Sequence, residues 1–155
     1  MAKMNAMQRY ISALLGLGIT ILAAADGQCA QAAIGQIKKL DGQVFIIRND
    51  LQHAAKVGDL IEQPDVLTTG PNGSVGITFI DDSRFSAGPN SRIEIGQFKF
   101  DPTRQQGEFL TIISRGTLAI VSGHIAKSSP EAMKVKTPTT ILGVRGTTFA
   151  VKVED

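Results

Sequence analysis

"GPNGSVGITFIDDSRFSAGPNSRIEI", residues Gly70 to Ile95, alternates apolar and polar side chains and is interrupted by turn residues at short intervals. Val75, Ile77 and Phe79 fall on one face of the first run, and Ile93 and Ile95 on one face of the last. A period of two marks half-buried strands, because successive side chains of a strand point to opposite faces. The interruptions are "PNG" from Pro71, "DDS" from Asp81 and "PN" from Pro89. Each joins glycine, free to take positive φ, or a side chain that bonds its own backbone, to a break in the alternation.

The same pattern extends in both directions. "DG" at Asp41 and "SG" at Ser122 are further turns, and Phe149, Val151 and Val153 share one face of "FAVKV". Turn signals arrive about every 8–12 residues, as in all-β domains, and predict about ten short strands. No stretch after residue 33 carries a helical period, so no helix is expected there. The expected core contains Val75, Ile77, Phe79, Ile93, Ile95, Leu118, Ile120, Phe149 and Val151. "KFDPTRQQGEF" (Lys99 to Phe109) and "AKSSPEA" (Ala126 to Ala132) lack alternation and read as polar connections, which carry specificity on a rigid β scaffold.

The chain also echoes itself. "GPNGSVGITF" begins at Gly70 and "GPNSRIEIGQF" at Gly88, while "RGTLAIV" begins at Arg115 and "RGTTFAV" at Arg145. Repetition is the mark of stacked coils that cannot bury an apolar face alone. The expected fold is therefore all-β, a solenoid-like β-roll of short strands, with a β-sandwich or barrel as the alternative.

Composition sets further bounds. The chain has 155 residues, 43% hydrophobic and 19% charged, with 16 glycines, no tryptophan and a net charge of +2. These are values of a folded domain rich in turns, not of a disordered chain. No basic cluster interleaves with aromatic residues, which argues against nucleic acid as a partner.

The first 32 residues form a separate unit. Lys3 and Arg9 precede an uncharged, mostly apolar run, "YISALLGLGITILAAA" (Tyr10 to Ala25), followed by "DGQC" and then Ala30 and Ala32 at small-residue spacing. This is the layout of a secretory signal peptide with cleavage after Ala32. A retained membrane anchor is the alternative, but 16 residues fall short of the roughly 20 that a helix needs to cross about 30 Å of hydrocarbon. Residues 33–155 then form the mature domain in the periplasm or outside the cell, touching the membrane only during export. Cys29, the only cysteine, leaves with the signal, so no disulfide supports the fold.

Nothing points to catalysis, a metal or a cofactor. His53 and His124 lie in no metal-ligand motif, and there are no paired cysteines, no HExxH and no phosphate-binding loop. Asp81 and Asp82 read as a turn, because adjacent residues of a strand point to opposite faces. Ser83 and Ser86 have no histidine at a suggestive position beside them.

"GVRGTTFAV" (Gly143 to Val151) is the segment most in need of a role. Gly143 and Gly146 read as strand-start or bulge positions where a side chain would not fit. Thr148 and Ala150 alternate with Phe149 and Val151, so the aromatic ring is expected inside. Arg145 is either a solvated charge that blunts an open strand edge or an anchor for a carboxylate of a peptide partner. The same two readings apply to Arg115, and the recurrence of "RGT" favours the structural one.

The run from Val57 to Ile95 resembles the FecR domain, with Gly58-Asp59, Thr69-Gly70 before a glycine-containing turn, Asp81-x-Ser83, and a Pro-x-Ser turn from Pro89. "LTIISRGTLAIVSG" is similar to its Leu-x-x-Gly-x-Leu segment. "VKTPTTILGVRGTTFAVKV" is similar to its ending, in which a Thr-Pro precedes Gly-Thr-x-Phe-x-Val; here those are Gly146, Thr147, Phe149 and Val151. The resemblance covers about residues 35 to 153. It implies a β-rich periplasmic, sensor-like module without known catalysis. In the regulators of iron uptake that name the family, a cytosolic segment holds a sigma factor. Only nine residues precede Tyr10 here, so no sigma factor is expected, and the implied partner is another protein or an envelope component. A small-ligand or polysaccharide binder using Lys99 to Phe109 is the alternative.

Overall fold

The computed structural model describes residues 32–129, 131–146 and 148–154. The described residues lie in one compact unit, Gln31–Asp155. Ala30 lies outside the described residues, and Ala32 is an exposed residue ahead of the first strand.

Twelve strands and one short helix occur among the described residues. The first six strands are β1 (Gly35–Asp41), β2 (Val44–Arg48), β3 (Leu51–Ala54), β4 (Leu60–Ile61), β5 (Val66–Thr69) and β6 (Ser74–Phe79). Then come β7 (Arg84–Ala87), β8 (Arg92–Asp101), β9 (Gln106–Val121), α1 (His124–Ser128), β10 (Met133–Lys136), β11 (Ile141–Val144) and β12 (Thr148–Val153).

The all-β class is as expected; the stacking is not. A solenoid lays successive coils on each other in parallel, yet ten of the eleven strand pairings are antiparallel and only β9–β10 is parallel. The strands form a curled open sheet of two ladders that share β9. The first runs β3-β2-β5-β8-β9-β10-β11, and the second β4-β1-β6-β7-β9-β12. Around Phe109–Ile112 the neighbours of β9 are β8 and β10, whereas from Leu118 to Val121 they are β7 and β12. The echoed "GPN" turns are crossings between these ladders, from β5 to β6 and from β7 to β8. They lie against each other, the Asn90 amide donating to the Gly70 carbonyl oxygen at 3.1 Å.

One strand can serve both ladders because its pleat changes face midway. Phe109, Thr111 and Ile113 point inward in the first half of β9, and Leu118 and Ile120 in the second. The shift of parity is absorbed at a bulge, where the partner of Arg92 is Arg115 and that of Ile93 is Ile113. Gly116 sits in this bulge at φ +88°, and a Cβ there would lie 2.3 Å from Ser91 Oγ. Only glycine fits.

The core is closed by phenylalanines from both ladders. Phe79 (β6) lies 4.8 Å from Phe85 (β7) and 4.8 Å from Phe109 (β9), and Phe98 (β8) lies 4.8 Å from Phe109 between ring centroids. Each buried ring contributes about 1.5–3 kcal/mol by leaving water, and such ring pairs add about 0.5–1.5 kcal/mol. Eight of the nine expected core residues are buried; Phe149 is the exception, half-buried at the margin.

Of the two expected connections, the first is largely strand, and of the second only Ala126–Ser128 is helical, the described residues after it being turn or bend. Lys99 to Phe109 is the far end of the β8–β9 hairpin, paired out to Asp101 and Gln106. It shows no alternation because no residue from Lys99 to Glu108 is buried, and at its tip Asp101 Oδ1 accepts the Thr103 amide at 2.9 Å. The expected absence of helix is corrected by α1, whose Ile125 and Ala126 are buried. Five residues are too few to display a helical period. Among the described residues, no helix is long and apolar enough to cross a membrane.

Candidate functional site: an open strand edge and a groove

The motif residues of the sequence resolve into polar knots that hold the crossings. Thr69 Oγ1 donates to the Gly88 carbonyl oxygen at 2.7 Å and accepts the Ser91 amide at 2.8 Å. Asp81 and Ser83 are both fully buried. The Ser83 hydroxyl donates to Asp81 Oδ2 at 2.7 Å and accepts the Gly123 amide at 3.0 Å. The Asp81-x-Ser83 turn therefore ties β6 and β7 to the end of β9. Sequence reasoning found this turn but not its distant partner.

His124 does approach this turn, with Nε2 3.0 Å from Asp82 Oδ2. The connectivity differs from that of a nucleophilic triad, in which the histidine bonds the serine. Here the histidine bonds an exposed carboxylate, while Ser83 is fully buried and engaged with Asp81 and Gly123.

A third polar knot was not visible in the sequence. Arg48 reaches Asp65 through Nε–Oδ1 and Nη2–Oδ2, both 2.7 Å, and Glu62 through Nη1 at 2.7 Å. Asp65 is fully buried and also accepts the Glu62 amide at 2.8 Å. Hydrogen bonding to Asp65 is the main cause that holds the Arg48 guanidinium above its ordinary value, against the opposing effect of burial.

The C-terminal run contributes two strands with one neighbour each among the described residues. β11 pairs only with β10, and β12 only with β9. Gly143 lies within β11 and is exposed; a Cβ there would meet only Glu131 Cγ, at 3.9 Å, so a side chain fits, contrary to expectation. Gly146 also has space around it, and its requirement is conformational, with φ +54°. Thr147 lies outside the described residues. The tight glycine expected at these positions is found at Gly116 instead.

Arg145 is exposed and makes no ion pair or hydrogen bond among the described residues. Arg115 is also exposed, and lies in register with Arg92 on the neighbouring strand. The two repeated arginines therefore stand in different places, Arg115 inside a ladder and Arg145 beside the two open edges. Along β12, Thr148, Ala150 and Lys152 point outward, while Phe149 and Val153 are half-buried against the core. Lys152 Nζ donates to Glu154 at 2.5 Å, which raises the lysine and lowers the carboxylate from their ordinary values.

A concave feature flanks the β8–β9 hairpin, a groove of about 1020 Å³. Its charges are balanced, with Lys99, Arg104 and Lys134 against Asp101, Glu108 and Glu131. Among the described residues, no cluster of His, Cys, Asp or Glu has the form of a metal site.

The family model described as "FecR protein" matches residues 65–155. The chain belongs to the FecR family. The matched FecR region runs from the buried Asp65 through the shared strand β9 to the open edges of β11 and β12. A solved structure described as a "Cell surface anchoring domain" is 39% identical over 41% of this chain and 84% of that one, with a TM-score of 0.40. No curated protein matches this FecR chain.

Proposed function

We propose that this FecR-family chain is a non-catalytic binding module of the bacterial cell envelope, exported and cleaved after Ala32. It takes up an extended segment of a partner protein on the open edge of β12. The observation that carries this reading is the state of that edge. Among the described residues, the six of Thr148–Val153 pair on one side only, and the inward side chains Phe149 and Val153 are half-buried. An added strand supplies backbone hydrogen bonds and covers both side chains, as in other cases of strand addition. Arg145, beside the start of this edge and without a partner among the described residues, anchors a carboxylate of the incoming segment.

The groove at the β8–β9 hairpin favours a second reading, a neutral polar ligand such as a glycan. Its balanced charges and open shape suit hydroxyl-rich molecules better than an ion.

Capture of envelope proteins followed by amide hydrogen exchange on the captured complex separates the two readings. Slowed exchange across Thr148–Val153 is expected, together with weaker capture by Arg145→Glu. Slowing confined to the β8–β9 hairpin and Ser128–Lys134 would replace edge binding by the groove.

A further inference from the structure

The two ladders are unequal in length past β9. Among the described residues the first continues for two strands, β10 and β11, and the second for one, β12. The inner face registers this difference. Ile95, Thr111 and Val135 stand in register across β8, β9 and β10 and are fully buried, and the row ends at Leu142 on β11. Leu142 points inward with them and is nevertheless 37% exposed. Its place on an edge strand is not the cause, because Val144, on the same strand and the same face, is only 4% exposed. The inner face is therefore covered over Val144 and open over Leu142.

β12 borders the same opening, with Phe149 and Val153 half-buried on either side of the buried Val151. We infer that the strand taken up beside β12 extends the second ladder over β11, lays its inward side chains on Leu142, and so must carry aliphatic residues at alternate positions. This rests on the proposed edge binding. It adds the floor of the site and the sequence pattern that the site accepts.

The opening fits a peptide strand better than a small ligand. It offers the unpaired backbone of β12 along one side, the Leu142 side chain as floor and the exposed Arg145 cation near its start. A strand beside β12 stands about 4.8 Å from it, and packed sheets lie about 10 Å apart, which leaves room for valine, leucine or isoleucine above Leu142. A charged residue at an inward position would be buried without a partner and is excluded. Outward positions continue the exposed row of Thr148, Ala150 and Lys152 and take polar residues. Phe149, Val151 and Val153 set three inward positions along β12.

A synthetic eight-residue peptide tests the inference, with glutamate at both ends and three valines alternating with threonines between them. Its control has the same composition with the valines consecutive. The alternating peptide is expected to bind the protein recovered from the envelope fraction, and the control to bind far more weakly. Bound peptide should protect the thiol of a Leu142→Cys variant from alkylation, whereas that of Ile141→Cys, on the outer face in register with Lys136, should react as before. Leu142→Asp should weaken binding on the order of tenfold or more, by setting a carboxylate beneath the added strand. Ile141→Asp should bind as the native chain does, and equal melting temperatures keep misfolding apart from lost binding. Slowed amide exchange across Thr148–Val153 with an unprotected thiol in Leu142→Cys would leave edge binding standing and overturn this inference. Absence of both effects would overturn the two together. Equal binding of the two peptides would also overturn it, as would thiol protection by self-association without peptide, which would give the opening to a second copy.

Discussion

Ser91 and Thr117 lie 26 residues apart in sequence and clasp one another in the fold. The Thr117 amide donates to Ser91 Oγ at 3.0 Å, and the same hydroxyl lies 3.1 Å from the Thr117 carbonyl oxygen and 2.9 Å from that of Gly88. The clasp pins the turn between β7 and β8 to the bulge where β9 passes from one ladder to the other. Ser91→Ala leaves the Thr117 amide without its acceptor and should cost about 1–3 kcal/mol in urea unfolding. Gly116→Ala should cost more than the roughly 1–2 kcal/mol of left-handed backbone alone, because its Cβ would also strike Ser91. Equal stability of Gly116→Ala and the native chain would refute this account of the bulge.

The Arg48–Asp65 pair separates buried from exposed charge. Arg48→Met leaves the fully buried Asp65 carboxylate without its guanidinium and should cost about 3–5 kcal/mol. Glu62→Gln removes a side chain that is 24% exposed and should change stability by less than about 1 kcal/mol. Because the Arg48 value is raised on folding, its contribution is fully present below the ordinary arginine range and is lost only as pH rises through the raised value. Urea midpoints measured between neutral and moderately alkaline pH should show no loss from this pair.

Thr111 Oγ1 is buried without a hydrogen-bond partner among the described residues. Replacing the hydroxyl by a methyl group of the same shape removes an uncompensated desolvation. Thr111→Val is therefore expected to leave stability unchanged or raise it by about 1 kcal/mol. A clear loss in thermal unfolding would mean that the hydroxyl is satisfied in solution.

Phe149 and Phe109 rank in an order set by their surroundings. Phe109 is 1% exposed and touches rings from both ladders; its replacement by alanine should cost about 3–5 kcal/mol. Phe149, at the open edge, should cost about 1–2 kcal/mol, since half-burial returns about half of the transfer energy. Comparison of the two denaturation midpoints checks the order, and binding of a partner strand should widen the cost at Phe149.

The export proposal is checked at the N-terminus. Sequencing of the protein recovered from the envelope fraction should begin at Ala33. Recovery of a chain that begins at Met1, held in the membrane fraction, would refute cleavage.

Alternation and turn chemistry are local properties, and they were legible in the sequence. The period of two placed Val75, Ile77, Phe79, Ile93, Ile95, Leu118, Ile120 and Val151 inside, and the punctuation located the turns. It also brought the FecR resemblance within reach, because those motifs are turns. Pairing between strands is not local. The same alternating segments serve a β-roll, a sandwich or a curled sheet, and only the tertiary structure decided among them. Phe85, Phe98 and Phe109 entered the core through ladder pairing and a change of pleat that no window of neighbouring residues reveals. Gly143 and Gly116 show the same division. Both precede β-rich runs in sequence, yet only Gly116 is pressed against another segment, Ser91, and a close approach of that kind exists only after the chain has folded. Open edges follow the same rule, since a strand is at an edge only by virtue of what does not lie beside it.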